Sequence, residues 1–324
     1  MGTMLAFAPM AIAIAAAMGF YLALCLDRPK RAFALAVLCS VAALAPLLLP
    51  QEAIMIRFGL ALFSAFMVLK MWDLHIGAIH GQRPRSIEFL GFLANLYFFV
   101  FRKRGVESQP STSRNCLELA LGIAGFCAAF GVLFLKGKID WLAFPFLFEH
   151  AGIAIAFYVL LIAELTAVVA ITRLVGAYII NANDGPFAAR TPADFWRRYN
   201  RLIGQFLYED FFKPLRGRRH PVRATLGVFA VSGILHEYFF WVALGQFVGW
   251  QLLFFMLQGG AVVLTLRVKP TGWKAFAWAT GTLVFNIVSS VPFFASFNSV
   301  IPIYQNSLPA WLGCVACLKS PSLI

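Results

Sequence analysis

Residues 191–237 read TPADFWRRYNRLIGQFLYEDFFKPLRGRRHPVRATLGVFAVSGILHE, and the two ends of that stretch have opposite characters. The first is polar, Arg-rich and amphipathic, and carries Asn200. The second is almost wholly apolar from Ala224 onward, and carries His236 and Glu237. Ionisable side chains are expensive inside hydrocarbon, so a His–Glu pair within a run long enough to cross a bilayer marks a functional site by default. His236 sits near the middle of its run, and Gly233, His236, Glu237 and Phe240 share one helical stripe, with Ser232 one turn before the imidazole.

Outward from that stretch, apolar runs of spanning length recur at about 4–26, 32–49, 53–71, 116–135, 146–172, 224–247, 251–266 and 275–291. A hydrocarbon core of ~30 Å takes about 20 helical residues. The chain of 324 residues is 61% hydrophobic and 13% charged, with mean hydropathy +0.79. A soluble domain carries about 25% charged residues, so half the usual charge is missing. A transmembrane β-barrel is excluded, because it would show short alternating segments. The expectation is an all-α polytopic membrane protein. It forms one integral-membrane domain over 1–324, with 191–247 as its chemistry-bearing region.

The net charge of +13 does not point to nucleic acid. Most of the basic residues sit between the apolar runs: Arg28 to Arg31, Arg83 and Arg85, Arg102 to Arg104, the long section 173–223, and Arg267 to Lys274. The positive-inside rule puts these on the cytoplasmic face of a bacterial inner membrane or the endoplasmic reticulum, and basic loops also attract lipid head groups. The run at 4–26 lacks a positive segment before it and is too long for a signal-peptide core, so it reads as a retained first anchor. The run at 86–101 is short and has basic residues on both sides, which predicts a re-entrant or interfacial helix. A Pro/Asn/Ser-rich outer loop is expected after 291, then a short apolar segment at about 308–318.

Polar residues elsewhere have bland readings. Asp73, His75 and His80 read as a solvated interfacial loop, the histidine spacing not matching an i,i+4 metal pair. Glu149-His150 reads as an exposed pair at the outer mouth of its span, whereas Glu164, deeper in the same run, should face the protein interior. Of six cysteines, Cys314 and Cys317 form a CxxC without a second pair or a nearby His, so no metal site is expected.

Thr191, Pro192 and Asp194 make a helix start with a capping box. Behind it Phe195, Trp196, Tyr199, Leu202, Ile203, Phe206 and Leu207 recur at helical spacing, with Arg197, Arg198 and Arg201 largely on another side. This predicts one amphipathic helix at the membrane surface with Asn200 bordering its apolar face, ended by Pro214 and Gly217. The Arg cluster, extended by Arg216, Arg218 and Arg219, serves either topology and anionic lipid or the phosphates of an activated donor. His236 has the unperturbed pKa that suits a general base at neutral pH.

DFWRRYN at 194–200 followed by SGILHE at 232–237 resembles the membrane-bound O-acyltransferase (MBOAT) superfamily. There, an Asn, Asp or His closing an aromatic-rich motif pairs with an intramembrane His further along. VSGILHEYFF is most similar to wax synthases and to sterol or diacylglycerol acyltransferases. TPADFWRR with QFLYEDFFKPLRG is also similar to bacterial alginate O-acetylases and D-alanyl transferases. Those usually carry His where Asn200 stands and a Gly-Leu-Trp-His-Gly type of second motif, and the departure from both features favours the lipid-acceptor branch. Tyr199 replaces the usual Trp.

The resemblance implies an MBOAT-type bundle of about 8–10 spanning and re-entrant helices around a central tunnel. It also implies transfer of a fatty acyl group from acyl-CoA, as co-substrate and without a cofactor, to a lipid hydroxyl such as a long-chain alcohol. On it His236 is the catalytic base, Asn200 its motif partner and Glu237 a group able to fix the imidazole tautomer. Arg197, Arg198 and Arg201, with Trp196 and Tyr199, would hold acyl-CoA. Two other readings stand beside this one. One is O-acetylation of an exported polysaccharide. The other is a proton-coupled transporter using His236 and Glu237 as a relay, for which inverted repeats would be expected and none is visible.

Overall fold

The computed structural model describes residues 2–103 and 109–312, so Cys314 and Cys317 and the end of the 308–318 segment lie outside the described residues. The chain forms twelve α-helices among those residues: α1 (Gly2–Ala23), α2 (Arg28–Leu44), α3 (Ile54–Ile79), α4 (Ser86–Ala94), α5 (Thr112–Leu135), α6 (Phe146–Leu174), α7 (Pro192–Arg198), α8 (Arg201–Leu207), α9 (Pro221–Leu244), α10 (Trp250–Thr265), α11 (Gly272–Ser289) and α12 (Val291–Val300). No strand occurs among them. Six segments are long and apolar enough to cross a membrane: α2 with its following 3₁₀ turn, α3, α5, α6, α9, and α11 continued by α12. Two shorter apolar helices, Phe7–Ala23 within α1 and α10, complete the eight expected runs. The protein is an all-α, multi-pass integral membrane protein.

Helices α1, α2 and α3 pack as one group, α3 meets α9, α9 meets α10, and α12 closes against α9, α10 and α3. Helix α5 packs against α6 and presents Leu117, Leu121, Phe130 and Phe134 outward. It buries Asn115, Gly122 and Ala129, a seven-residue stripe of smaller side chains. Without a hydrophobic force between helices in lipid, close approach of backbones at small residues supplies the association. A Cβ at Gly122 would lie 2.8 Å from the Ala167 amide nitrogen and 2.9 Å from the Ala163 carbonyl. Gly122→Ala is therefore expected to force α5 off α6 and lower stability by about 1–3 kcal/mol, the usual scale for overpacking. Gly131, whose Cβ would meet nothing, is the control: Gly131→Ala leaves the melting temperature unchanged or raises it.

The short run at 86–101 is helical over only part of its length. It makes the single helix α4, whose Phe89 and Phe92 are buried, and then returns as an irregular connection. Lys70, fully buried on α3, holds that return: its ammonium donates to the carbonyls of Phe92 (2.7 Å), Asn95 (2.8 Å) and Phe98 (2.6 Å). Its three donors are thereby matched to three carbonyls in the last turn of α4 and the connection that follows it.

Three expectations are corrected. Helix α3 runs past Lys70 to Ile79, so Asp73 and His75 are not in a solvated loop; both are buried. Asp73 accepts from the Phe101 amide (2.8 Å) and from Arg102, which also reaches Asp210 beyond α8. One guanidinium thus ties α3 to the section between α8 and α9. Burial pushes the Asp210 carboxyl above its ordinary range, only partly offset by Arg102.

Glu149 and His150 are fully buried rather than exposed. Glu149 accepts from the amides of Gln305 (2.8 Å) and Asn306 (3.0 Å), the Asn306 side chain (3.0 Å) and Lys136 (3.2 Å). His150 bonds Tyr304 and the Ile287 carbonyl, each at 2.7 Å.

Residues 291–300, expected in a loop, are helical. Pro292 falls in the first turn of α12, where a missing N–H costs nothing. Phe293, Phe294 and Phe297 then point inward as one face.

Candidate functional site

The helices enclose a cavity of about 600 Å³, within the range of small-molecule sites. Its walls come from α3, the connection 97–99, α6, the α7–α8 region, α9, α10 and α12, and they are dominated by phenylalanines such as Phe66, Phe157, Phe229, Phe255 and Phe297. Few polar side chains break that lining: Tyr97, Tyr158, Glu164, Trp196, Tyr199, Asn200, Ser232 and His236 are among them.

His236 lies fifteen residues into α9, roughly 22 Å from its start at 1.5 Å per residue. Its Nδ1 is 2.8 Å from the Ser232 carbonyl one turn earlier. A carbonyl can only accept, so Nδ1 carries the proton and Nε2 keeps its lone pair in the neutral ring. Nε2 has no hydrogen-bond partner among the described residues. The ring packs beside Phe255 (4.4 Å between centroids), Phe239 (5.4 Å) and Phe293 (6.1 Å). The imidazole is thus held in one tautomer with its basic nitrogen facing an apolar, walled space.

Asn200 lines the same cavity, but not from the middle of a continuous helix as expected. The helix breaks there: α7 ends at Arg198, and Asn200 has φ 43° and ψ 57°, left-handed values. Asn tolerates that region better than other non-glycine residues. The break is satisfied locally, since the Asn200 amide donates to Asn183 Oδ1 (3.0 Å) and the Asn200 Oδ1 caps α8 by accepting from the Ile203 amide (3.4 Å). With Oδ1 turned to the backbone, Nδ2 is the end left for the cavity. No hydrogen bond joins Asn200 to His236 directly among the described residues.

Glu237 is not in the cavity. It is buried, with Oε1 accepting from the amides of Val248 (2.9 Å) and Gly249 (2.6 Å) and Oε2 from that of Gln251 (3.1 Å). It caps the N-terminus of α10, where a negative charge is favoured, and fixes α10 against α9. The tautomer role expected of it belongs to the Ser232 carbonyl.

The Arg-rich helix divides in the same way. Trp196 and Tyr199 line the cavity. The Trp196 indole donates to Gln258 (2.9 Å), which in turn donates to Ser289 (2.8 Å). Tyr199 stacks on Phe195 at 5.4 Å, and burial pushes its phenol well above the usual range, so it stays neutral. Arg197 and Arg198 do not line the cavity. Both reach Asp194, at 2.5 and 2.9 Å, and Arg198 also donates to the Asp184 carbonyl (3.1 Å). Burial alone would raise the Asp194 carboxyl, but the two guanidiniums and the Arg190 amide hold it below its ordinary value. Arg201 is likewise absent from the cavity lining; its amide donates to the Ala182 carbonyl at 2.7 Å.

A second basic group, read in the sequence only as added charge, forms a recess of its own. Lys213, Arg216, Arg218 and Arg219 line a surface hollow of about 540 Å³ that shares Tyr208 and Phe212 with the main cavity. Arg216 has φ 56°, an uncommon backbone state for a side-chain-bearing residue. A Cβ at Gly217 would overlap the Phe212 ring, so only glycine lets this loop rest against that wall.

Known proteins share parts of this chain. Mouse sterol O-acyltransferase 2 is 34% identical over 91 residues, which is 26% of this chain and 17% of the mouse protein. An Arabidopsis thaliana protein described as a probable long-chain-alcohol O-fatty-acyltransferase 1 is 28% identical over 113 residues, 32% of this chain and 33% of that protein. Arabidopsis acyl-CoA–sterol O-acyltransferase 1 is 28% identical over 95 residues, 26% of this chain and 28% of its own. The matched stretches thus cover a third or less of these relatives. The family model described as MBOAT, membrane-bound O-acyltransferase family, matches residues 134–301. That match takes in α6 to α12, with both motif stretches and most of the cavity wall, and the chain belongs to the membrane-bound O-acyltransferase family.

Proposed function

We propose that this protein transfers a fatty acyl group from acyl-CoA to the hydroxyl of a long-chain alcohol or related lipid. The observation that carries the reading is His236 presenting an unpartnered Nε2 to a phenylalanine-walled cavity that Asn200 also lines. Nε2 takes the proton of the acceptor hydroxyl as its oxygen attacks the thioester carbonyl carbon, with Nδ1–H held on Ser232 throughout. The carbonyl oxygen becomes an oxyanion, to which the Asn200 carboxamide N–H donates. Collapse of the tetrahedral species breaks the carbon–sulfur bond. The thiolate of CoA leaves and takes the proton back from the imidazolium, giving ester and free thiol. The phenylalanine walls suit two hydrocarbon chains better than a sugar, which supports a lipid acceptor over an exported polysaccharide.

The phosphates of CoA sit in the Lys213–Arg219 recess, because it adjoins the cavity through Tyr208 and Phe212 and Arg forks suit phosphate oxygens. Purified protein in detergent or nanodiscs, given labelled acyl-CoA and a panel of alcohols, sterols and diacylglycerol, should form ester with a long-chain alcohol. Absence of any ester product would end this reading. In the same assay Arg216→Ala with Arg219→Ala should raise KM for acyl-CoA about 10-fold, the scale of a lost charged hydrogen bond, with kcat little changed. Arg197→Ala should change KM by less than about twofold, since that exposed guanidinium is paired with Asp194 and surface pairs contribute little. A KM that responds to Arg197 and not to the recess would put the phosphates at α7 instead.

A further inference from the structure

Glu164 is a carboxylate on the wall of a cavity built mostly from aromatic and aliphatic groups. One oxygen accepts from the Tyr97 hydroxyl at 2.6 Å. Among the described residues it has no Lys, Arg or His partner. Its neighbour Tyr97 is itself positioned, because the connection that carries it is anchored by Lys70 through the Asn95 and Phe98 carbonyls, and the Tyr97 amide bonds Asn95 (3.2 Å). Glu164 is half-buried within the apolar span of α6, and a carboxylate there with half its acceptor capacity unfilled is costly unless something fills it; here a cavity lies in front of it. A fixed acceptor of this kind recognises an N–H or O–H donor.

Depth decides which. Helix α6 ends at the basic end of the bundle with Arg173 and Leu174, and α9 begins at that end with Arg223 in its first turn. At 1.5 Å per residue Glu164 lies about 15 Å from the end of α6, and His236 about 22 Å from the start of α9. Glu164 is therefore nearer by about one helical turn to the end where the basic recess opens. It stands on the way from phosphates to thioester. The part of acyl-CoA occupying that interval is the pantetheine arm, which has two secondary amides between phosphate and sulfur.

Resting on the acyl-CoA reading above, we propose that Glu164, steadied by Tyr97, is the subsite for an amide N–H of the pantetheine arm, and that it selects thioesters carrying that arm. The acceptor hydroxyl, which must reach Nε2 of His236, does not use it.

The test gives the same acyl group to the full-length protein on three thiols: CoA, pantetheine, and a simple alkanethiol without amides. Glu164→Leu should lower kcat/KM about 10- to 100-fold for the first two and change it less than about twofold for the third. Glu164→Gln, which keeps one carbonyl acceptor, should lie between. Tyr97→Phe, which keeps the ring, should give the same donor-dependent pattern at smaller amplitude. An equal loss on all three thiols, or a rise confined to the KM of the alcohol, overturns the assignment of Glu164 while leaving the acyltransferase reading intact. Wild-type protein inert towards all three donors overturns both.

Discussion

Replacing His236 with alanine is expected to lower kcat by about 10²–10⁴-fold, the contribution of a positioned general base, while the protein still folds. The prediction follows from what the ring does and does not hold together. Its single hydrogen bond is to Ser232 within its own helix turn. Its other contacts are ring faces around a space that is already open. Removing it enlarges the cavity without stranding a buried partner, since the Ser232 carbonyl keeps its place in the helix backbone. A melting curve within a few degrees of wild type and an unchanged KM for acyl-CoA, together with lost turnover, would identify a base. Turnover equal to wild type would show that the chemistry lies elsewhere. His236→Gln separates polarity from basicity, because glutamine can hydrogen-bond in the cavity but cannot accept the proton, and it should be nearly as inactive.

The parts legible in the sequence were those encoded locally. Apolar runs of spanning length need no partner to be recognised, and the eight expected runs appear as helices. His236 and Asn200 stood out because each is polar beside a long apolar face. What could not be read were polar groups whose partners come from far along the chain. Glu149 is buried by amides 156 and 157 residues away, and Lys70 by carbonyls contributed by the returning connection. Nothing in a local window distinguishes such a residue from one facing water.

The same limit explains Glu237, which was grouped with His236 by adjacency. Successive residues on a helix point about 100° apart, and the turn before α10 supplied three amides to claim the carboxylate. The Arg residues illustrate it again. Asp194, chosen as a helix-start residue, takes Arg197 and Arg198 by three- and four-residue spacing, leaving the later cluster against the cavity. A break at Asn200 was available as a signal only in hindsight of Asn183, whose side chain meets it from outside the helix.

Asn200 carries three jobs at once, and a set of substitutions separates them. Its backbone occupies a left-handed conformation, its Oδ1 caps α8, and its Nδ2 is the end left for the cavity. Glycine keeps the backbone without strain and loses the side chain at a cap cost of only a few tenths of a kcal/mol. Alanine loses the cap and keeps a Cβ in the left-handed region without asparagine's tolerance of it, together costing about 0.5–2 kcal/mol. Aspartate preserves the capping oxygen but has no N–H to donate. Stability should therefore fall in the order wild type, Asn200→Gly, Asn200→Ala, read as melting temperature in detergent. Activity should follow a different order: all three variants lose about 10²–10³-fold in kcat, the effect of removing one donor to an oxyanion. The aspartate variant is the sharpest arm, because it keeps the capping oxygen and replaces the N–H donor proposed for the oxyanion with an acceptor. If Asn200→Gly or Asn200→Asp retained near wild-type turnover, the carboxamide would be a helix cap alone, and His236 would work without a partner from the earlier helix.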